Sequence, residues 1–124
     1  MPPIRLVLYR EADGTVPLQQ WLEDVPPKAA VKCVGLIKRL AAMGYEMRRP
    51  QADLLRDGIY ELRIDLQGIH YRILYFFHGN TAVVVSHGLR KKRVVPPIEI
   101  DRAIARRTRF FSNPELYTAE FEHG

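Results

Sequence analysis

The sequence has a single cysteine, Cys33, and no long hydrophobic run. One cysteine excludes an internal disulfide and a metal site built from several cysteines. The longest strongly apolar stretch, Ile73 to Phe77, is far shorter than the roughly 20 residues that a membrane-spanning helix needs. The first residues, Met1 to Arg5, contain no basic segment leading into an apolar run, so we expect no secretory signal. These absences favour a cytoplasmic protein.

Motifs for metal and cofactor chemistry are also missing. The chain has no closely spaced histidine pair for zinc and no carboxylate cluster for magnesium. It has no glycine-rich phosphate loop and no nucleophile elbow of the G-x-S-x-G type. We therefore expect a protein that works without a metal or another cofactor.

Length and charge indicate one domain with a basic segment. Of the 124 residues 47% are hydrophobic, which is typical of a globular domain. We expect a single domain over residues 1–124, with a core at about 4–109 and a short acidic tail at 110–124. The net charge is +5, and residues 90–109 alone hold eight basic and two acidic side chains. Such a concentrated field attracts polyanions, above all nucleic acid, although a solvated basic helix has the same composition.

Periodicity and turn signals predict the element order β-α-α-β-β-β-α. A strand is predicted at 4–10, then a helix capped by Thr15, then a second helix that ends at Met43-Gly44. Alternating apolar residues predict strands at 59–66, 69–77 and 81–87, followed by a polar break and a helix at 97–109. Asn113-Pro114-Glu115 resembles a further helix start. The segregated helices and strands are typical of an α+β fold with an antiparallel sheet.

The three predicted consecutive strands have two different faces. The face that should pack against the helix pair, with Trp21 as a core anchor, carries Tyr60, Leu62, Ile64, Tyr71, Ile73 and Tyr75. The second face is apolar at one end, where the last helix is the obvious cover for Leu74, Phe76, Val83 and Val85.

The other end of the second face holds the candidate functional residues. With Gln67-Gly68 as the turn, Arg63 lies directly opposite Arg72, which destabilises a sheet unless an anion offsets the repulsion. Phosphate, held by two guanidinium groups, is such an anion. His87 shares this face. We therefore predict a polar pocket near these three side chains, rimmed by Arg90-Lys91-Lys92-Arg93.

Each candidate also has a purely structural interpretation. Arg63 can pair with Glu61 or Asp65 on its own face, His87 can be a hydrogen-bonded histidine at a strand end, and residues 90–93 can form a solvated loop. Their convergence on one end of one face favours function. RNA cleavage by the adjacent 2′-hydroxyl fits these residue types, because arginine and lysine stabilise charge on phosphorus and histidine moves a proton.

Four motifs occur in a familiar order: Leu54-Leu55-Arg56-Asp57-Gly58-Ile59-Tyr60-Glu61-Leu62-Arg63, then Tyr71-Arg72-Ile73-Leu74-Tyr75, then His87-Gly88-Leu89-Arg90-Lys91-Lys92, then Pro96 with Glu99-Ile100 and Ala103. Together they resemble toxins of the RelE/ParE superfamily, and most closely the HigB-like, phage-related branch of type II toxin–antitoxin toxins. The resemblance covers about residues 4–109.

The resemblance implies a RelE-like fold and a toxin that inhibits translation by cleaving mRNA, commonly on the ribosome, without a metal. It also implies a cognate antitoxin, which we expect to be a helix-turn-helix protein. By position it implies roles for Arg63, Arg72 and Lys91 or Lys92. It assigns no proton donor or acceptor, for which His87 is our first candidate and Glu61 the second.

We therefore predict Arg63, Arg72, His87 and Lys92 as catalytic residues, and Arg90, Lys91, Lys92 and Arg93 as RNA-binding residues. Two alternatives remain open, because the fold alone does not determine function. One is the gyrase-directed branch of the same fold, and the other is a non-catalytic module that binds RNA or the ribosome. The paired arginines with His87 favour cleavage, because a toxin that binds a protein target needs no convergent phosphate site.

Overall fold

The computed structural model describes residues 4–121, which form one six-stranded sheet with three α-helices. In chain order the elements are β1 (Arg5–Tyr9), α1 (Pro17–Asp24), α2 (Pro27–Met43), β2 (Ala52–Arg56), β3 (Ile59–Leu66), β4 (Ile69–His78), β5 (Ala82–Lys91), α3 (Pro97–Ser112) and β6 (Thr118–Glu120). The strand order is β2-β3-β4-β5-β1-β6, with β1 parallel to β5 and the other neighbours antiparallel. The predicted α+β fold is confirmed. No helix in the described part is long and apolar enough to cross a membrane.

The helix pair forms as its prolines and glycine predict. Pro17 and Pro27 each lie in the first turn of a helix, where the missing N–H has no intrahelical partner to lose. Gly44 ends α2 with a positive φ of 54°. The residue that caps α1, however, is Val16 rather than Thr15, and it makes no side-chain capping bond. Asp13 instead accepts a hydrogen bond from the Thr15 amide.

The helix pair covers the predicted face of the sheet. Leu62, Ile64, Tyr71, Ile73 and Tyr75 are buried in one cluster with Cys33, Ile37 and Leu40 of α2, and Tyr60 packs against it. Trp21 meets Tyr71 edge-on at 6.1 Å between ring centroids and lies over Gly88, where a Cβ atom would be 2.2 Å from the indole ring. Gly88 is therefore the residue that lets Trp21 pack against β5, and the predicted role of Trp21 as a core anchor is confirmed.

Two-residue turns set the strand register. Gln67 and Gly68 both have positive φ, 52° and 79°, as a tight hairpin turn requires, and Arg63 pairs directly with Arg72 as predicted. Asp57 and Gly58, with φ of 52° and 78°, make the same kind of turn between β2 and β3. The predicted element order contains no strand at β2, although aspartate-glycine is a strong hairpin signal.

The turn between β4 and β5 decides which valines face the helix pair. His78 pairs with Ala82, so residues 79–81 form the turn, and Val83 and Val85 lie opposite Phe77 and Tyr75 in the helix-pair core; the prediction that they lie on the second face is wrong. His87 pairs with Leu74, so Ser86 is an extra residue that forms a bulge and returns His87 to the second face. Val84 takes their place beside Leu74 and Phe76, under Ile100 and Ala103 of α3, which confirms the last helix as the cover.

Both ends of the predicted C-terminal region differ from expectation. Arg90 and Lys91 continue β5 and do not begin a polar break. After α3 the chain makes a turn and then pairs as β6 with β1, so the predicted short helix at Asn113 is wrong. Stacking of Tyr117 on Tyr9, with 5.7 Å between ring centroids, holds this segment on the sheet.

Candidate active site

The second face of the sheet, beyond the area that α3 covers, consists of three cross-strand rows. Each row has one residue from β3, one from β4 and one from β5. The tip row is Asp65–His70–Lys91, the middle row is Arg63–Arg72–Leu89, and the inner row is Glu61–Leu74–His87. Neighbouring strands lie about 4.8 Å apart and neighbouring rows about 7 Å apart, so side chains of adjacent rows can contact each other.

Exposure falls steadily from the tip row to the inner row. The side chains of Asp65 and His70 are 57% and 45% exposed. In the middle row Arg63 is half-buried and Arg72 is only 4% exposed. The inner row is buried under α3 and the segment before it, with Glu61 at 2%. A substrate that approaches this face therefore meets the tip row first.

The two facing arginines are paired with carboxylates. Glu61 accepts a hydrogen bond from Arg63 Nε at 2.8 Å, and its other oxygen lies 3.4 Å from Arg72 Nε as an ion pair without a hydrogen bond. Arg72 Nη1 donates to Asp65 at 2.8 Å, and Arg63 Nη2 donates to Asp53 of β2 at 3.2 Å. Glu61 thus offsets the repulsion between the arginines from within the protein, as the structural interpretation of Arg63 anticipated.

Both ring nitrogens of His87 have hydrogen-bond partners within the protein. Ser86 Oγ lies 2.7 Å from Nδ1, and Glu99 in the first turn of α3 lies 3.1 Å from Nε2. Because a carboxylate only accepts, Nε2 carries the ring proton and Ser86 donates to Nδ1. His87 is 6% exposed and Arg72 is 4% exposed, so the predicted open pocket bounded by these two residues and Arg63 does not form. His87 instead anchors α3 to the bulge.

Burial keeps the His87 imidazole neutral. Loss of hydration, with a further contribution from the Arg106 charge, lowers the pKa of His87 to about 4, against the opposing effect of Glu99. The unfolded chain binds a proton between pH 6.5 and 4 that the folded chain does not bind. The contribution of neutral His87 to the free energy of unfolding is therefore fully present above pH 6.5 and is lost as the pH falls towards 4.

We expect acidification from pH 7 to pH 5 to lower the free energy of unfolding by about 2 kcal/mol through His87 alone. Urea unfolding at both pH values should show this loss in the wild type but not in a folded His87→Gln variant. An NMR titration of the histidine rings provides the independent measurement. A His87 ring that titrates near pH 6.5 would contradict the buried neutral histidine.

The basic residues of segment 90–109 fall into two groups, those on α3 that pair with other groups of the protein and those in the run before α3. On α3, Arg102 pairs with Glu99, Arg106 with Glu11, Arg107 with the Asp57 carbonyl and Arg109 with the Tyr9 hydroxyl. The remaining four basic residues are the run Arg90–Arg93. Arg90 lies over the Tyr71 ring on the helix-pair side, 5.4 Å from its centroid, whereas Lys91 belongs to the tip row. Lys92 and Arg93 are exposed in the segment that follows β5.

A groove of about 560 Å³ follows this basic run. Its lining consists of the four basic residues together with Val94 and Pro96. Val94 is 70% exposed, so the groove offers apolar surface as well as cations. Nucleic acids present phosphates next to flat bases, and both kinds of surface are useful for binding them.

His70 and Asp65 were not among the candidate site residues of the sequence analysis. His70 Nδ1 lies 2.8 Å from Asp65 Oδ1, which also accepts from Arg72. The signal was present in the sequence, because the turn that places Arg63 opposite Arg72 also places Asp65 opposite His70. The structure brings this pair together with Arg72 and Lys91, and it separates His87 from them by burial.

Fold and site together define a RelE-like α+β domain, in which a helix pair covers one sheet face. The tip, middle and inner rows, which form a charged ladder, occupy the other face next to the basic run. The family model of the phage-derived protein Gp49-like family (DUF891) matches residues 20–108. The chain therefore belongs to the Gp49-like family, a family of the RelE-toxin-like type. No curated protein matches the chain.

Proposed function

We propose that this protein is the toxin of a type II toxin–antitoxin pair, of the HigB-like kind, and that it inhibits translation by cleaving mRNA on the ribosome without a metal. Its membership in a toxin-like family supports the toxin part of this proposal. The observation that carries the RNA part is the location of the basic run Arg90–Arg93. Lys91 of this run lies in the tip row, and the whole run lines the groove at the end of β5.

The reaction needs positioning, charge stabilisation and proton transfer. Exposed Lys92 and Arg93 are suited to hold the RNA backbone, with Arg90 and Lys91 on either face of the strand end. Arg63 is half-buried in the row next to the tip row and is suited to stabilise the extra negative charge on phosphorus. Buried Arg72 acts through its partners, since it holds Asp65 and Glu61 in place. Buried His87 positions α3.

Primer extension on an mRNA, with and without ribosomes, tests the proposal. We expect new 5′ ends after addition of the purified protein, and only when ribosomes are present. New ends without ribosomes would contradict the ribosome requirement. Absence of new ends under both conditions would contradict the nuclease, and inhibition of supercoiling instead would identify a gyrase-directed toxin.

The cognate antitoxin follows from the same proposal. The exposed basic run requires a partner with an acidic stretch, held by an association that weakens with salt. Co-expression with the neighbouring gene product should yield a complex at low salt that dissociates as the salt concentration rises. Failure to co-purify at low salt would contradict the toxin assignment.

Changing both Lys91 and Lys92 to alanine should weaken RNA or ribosome binding and flatten its salt dependence. Each lost phosphate contact removes about one unit from the slope of log K against log salt. Stability should change by no more than about 0.5 kcal/mol per site, because neither side chain belongs to the core. Filter binding across a salt series measures the slope.

The matched control is the double change of Lys28 and Lys38 to alanine on α2, which removes the same charge from another surface. Its effect on binding should be small. Equal effects of the two double variants would show that only net charge matters, and an unchanged slope in the Lys91 and Lys92 variant would identify the run as a solvated segment.

A further inference from the structure

The tip row contains an oriented and accessible histidine. Asp65 of β3 and His70 of β4 face each other across the hairpin, 2.8 Å apart between Oδ1 and Nδ1. The same carboxylate oxygen accepts a hydrogen bond from Arg72 Nη1, also at 2.8 Å. Asp65 is therefore held from two sides, and in turn it fixes the direction of the imidazole ring.

The hydrogen bond also determines which ring nitrogen can accept a proton. A carboxylate only accepts, so Nδ1 of His70 carries the hydrogen in the neutral ring and Nε2 keeps its lone pair. Nε2 is on the ring edge away from Asp65, and the side chain is 45% exposed. This is the arrangement of a general base whose orientation is set by a carboxylate.

The charges around His70 favour a phosphodiester as the substrate. Lys91 of β5 pairs with His70 across the sheet, and Arg72 lies one row away on the same strand. Asp65 is the acidic group that contacts the ring. Because Asp65 and Glu61 neutralise Arg72, the attracting charges are Lys91 and the exposed Lys92 and Arg93 that follow it, which draw an anionic group to the position where Nε2 can reach a neighbouring hydroxyl.

We propose that His70 is the general base of the cleavage reaction and that Asp65 is its positioning residue, an assignment that rests on the proposed function. Nε2 takes the proton of the 2′-hydroxyl, and the 2′ oxygen forms a bond to the adjacent phosphorus. The bond from phosphorus to the 5′ oxygen breaks, and the leaving oxygen takes a proton from water. His70 returns its proton to the hydroxide, which leaves a 2′,3′-cyclic phosphate and a 5′-hydroxyl end.

His87, by contrast, cannot reach a substrate in this fold. It is 6% exposed, and both ring nitrogens face partners within the protein, Ser86 and Glu99. Glu61 is 2% exposed and is paired with two arginines. We therefore assign the role of proton acceptor to His70, the histidine of the exposed tip row.

Single-turnover cleavage by His70→Gln tests the assignment. We expect the rate to fall by about 10²-fold or more, because general-base catalysis contributes that much. The acid limb of the pH–rate profile should disappear in the residual activity, while RNA affinity and the melting temperature stay near those of the wild type. The matched control is His78→Gln at the other end of β4, about 27 Å away along the strand, which should cleave normally.

Asp65→Asn separates positioning from folding. It should lower the cleavage rate about tenfold or more while RNA affinity stays the same or rises, because a negative charge is lost from the interface. A purely structural role would lower rate and affinity together. The end chemistry of the products, a cyclic phosphate on the 5′ fragment, provides the remaining check on the step.

The outcomes distinguish this assignment from the proposed function. If the wild type cleaves RNA and His70→Gln cleaves at the same rate with the same pH profile, the assignment is overturned and the nuclease stands. If the wild type cleaves no RNA with or without ribosomes, both are overturned.

Discussion

Replacement of Arg72 by alanine should lower the free energy of unfolding by about 3 kcal/mol. Breaking a buried ion pair by removing one partner costs roughly 3–5 kcal/mol, because the other charge stays buried without compensation. Glu61 is 2% exposed and would retain only Arg63, which places the effect at the lower end of that range. Urea unfolding at pH 7 measures the loss.

This expectation is opposite in sign to that for an empty phosphate site. If the facing arginines only repelled each other, removing one would leave stability unchanged or raise it by a few tenths of a kcal/mol. The double variant Arg72→Met with Glu61→Leu is the control, since a packed apolar pair can replace a buried ion pair at little cost. It should recover most of the stability. A melting temperature of Arg72→Ala at or above that of the wild type would contradict the buried pair.

Replacement of Arg63 by glutamine should reduce single-turnover cleavage by about 10²–10³-fold, by analogy with the loss of one oxyanion-stabilising donor. Arg63 is the half-buried cation of the middle row, so it can contribute both to the ladder and to a phosphate in the tip row. Glutamine retains hydrogen-bond donors but removes the charge and the bidentate geometry. Rates are compared for equal amounts of folded protein.

Arg49→Gln is the matched control for this variant. Arg49 donates to the same Asp53 oxygen as Arg63, at 2.8 Å against 3.2 Å, but its side chain is 74% exposed and lies outside the three rows. If disturbance of Asp53 were the cause, both variants would lose activity. We expect loss only in Arg63→Gln, and equal loss in both would remove Arg63 from the catalytic group.

The part of the candidate site that depends on the register of the β3–β4 hairpin was predictable from the sequence. The turn at Gln67-Gly68 correctly placed Arg63 opposite Arg72. The same register places His70 opposite Asp65, so the turn residues mark this pair as clearly as they mark the two arginines. His87 was predicted on the correct face, where the β4–β5 turn and the bulge at Ser86 together place it opposite Leu74.

The helices, turns and strands whose signals are local can be predicted from the sequence alone. Prolines start the helices, Gly44 ends α2, and a positive φ at two turn residues sets the β3–β4 register. Alternation of apolar residues along β3 and β4 also determined which sheet face the helix pair covers. These properties depend on neighbours within a few residues in the chain, so periodicity and turn chemistry suffice to predict them.

Which polar groups are accessible depends on contacts between distant parts of the chain. The β4–β5 turn includes Thr81, a bulge at Ser86 shifts the side-chain alternation of β5 by one residue, and no local pattern in the run of valines marks either feature. The exposed fractions of Arg72, His87 and His70 depend on where α3 and the segment before it lie on the sheet, which is set by contacts between distant parts of the chain. Arg72 and His87 are buried within the framework of the fold, whereas His70 lies exposed outside the cover of α3.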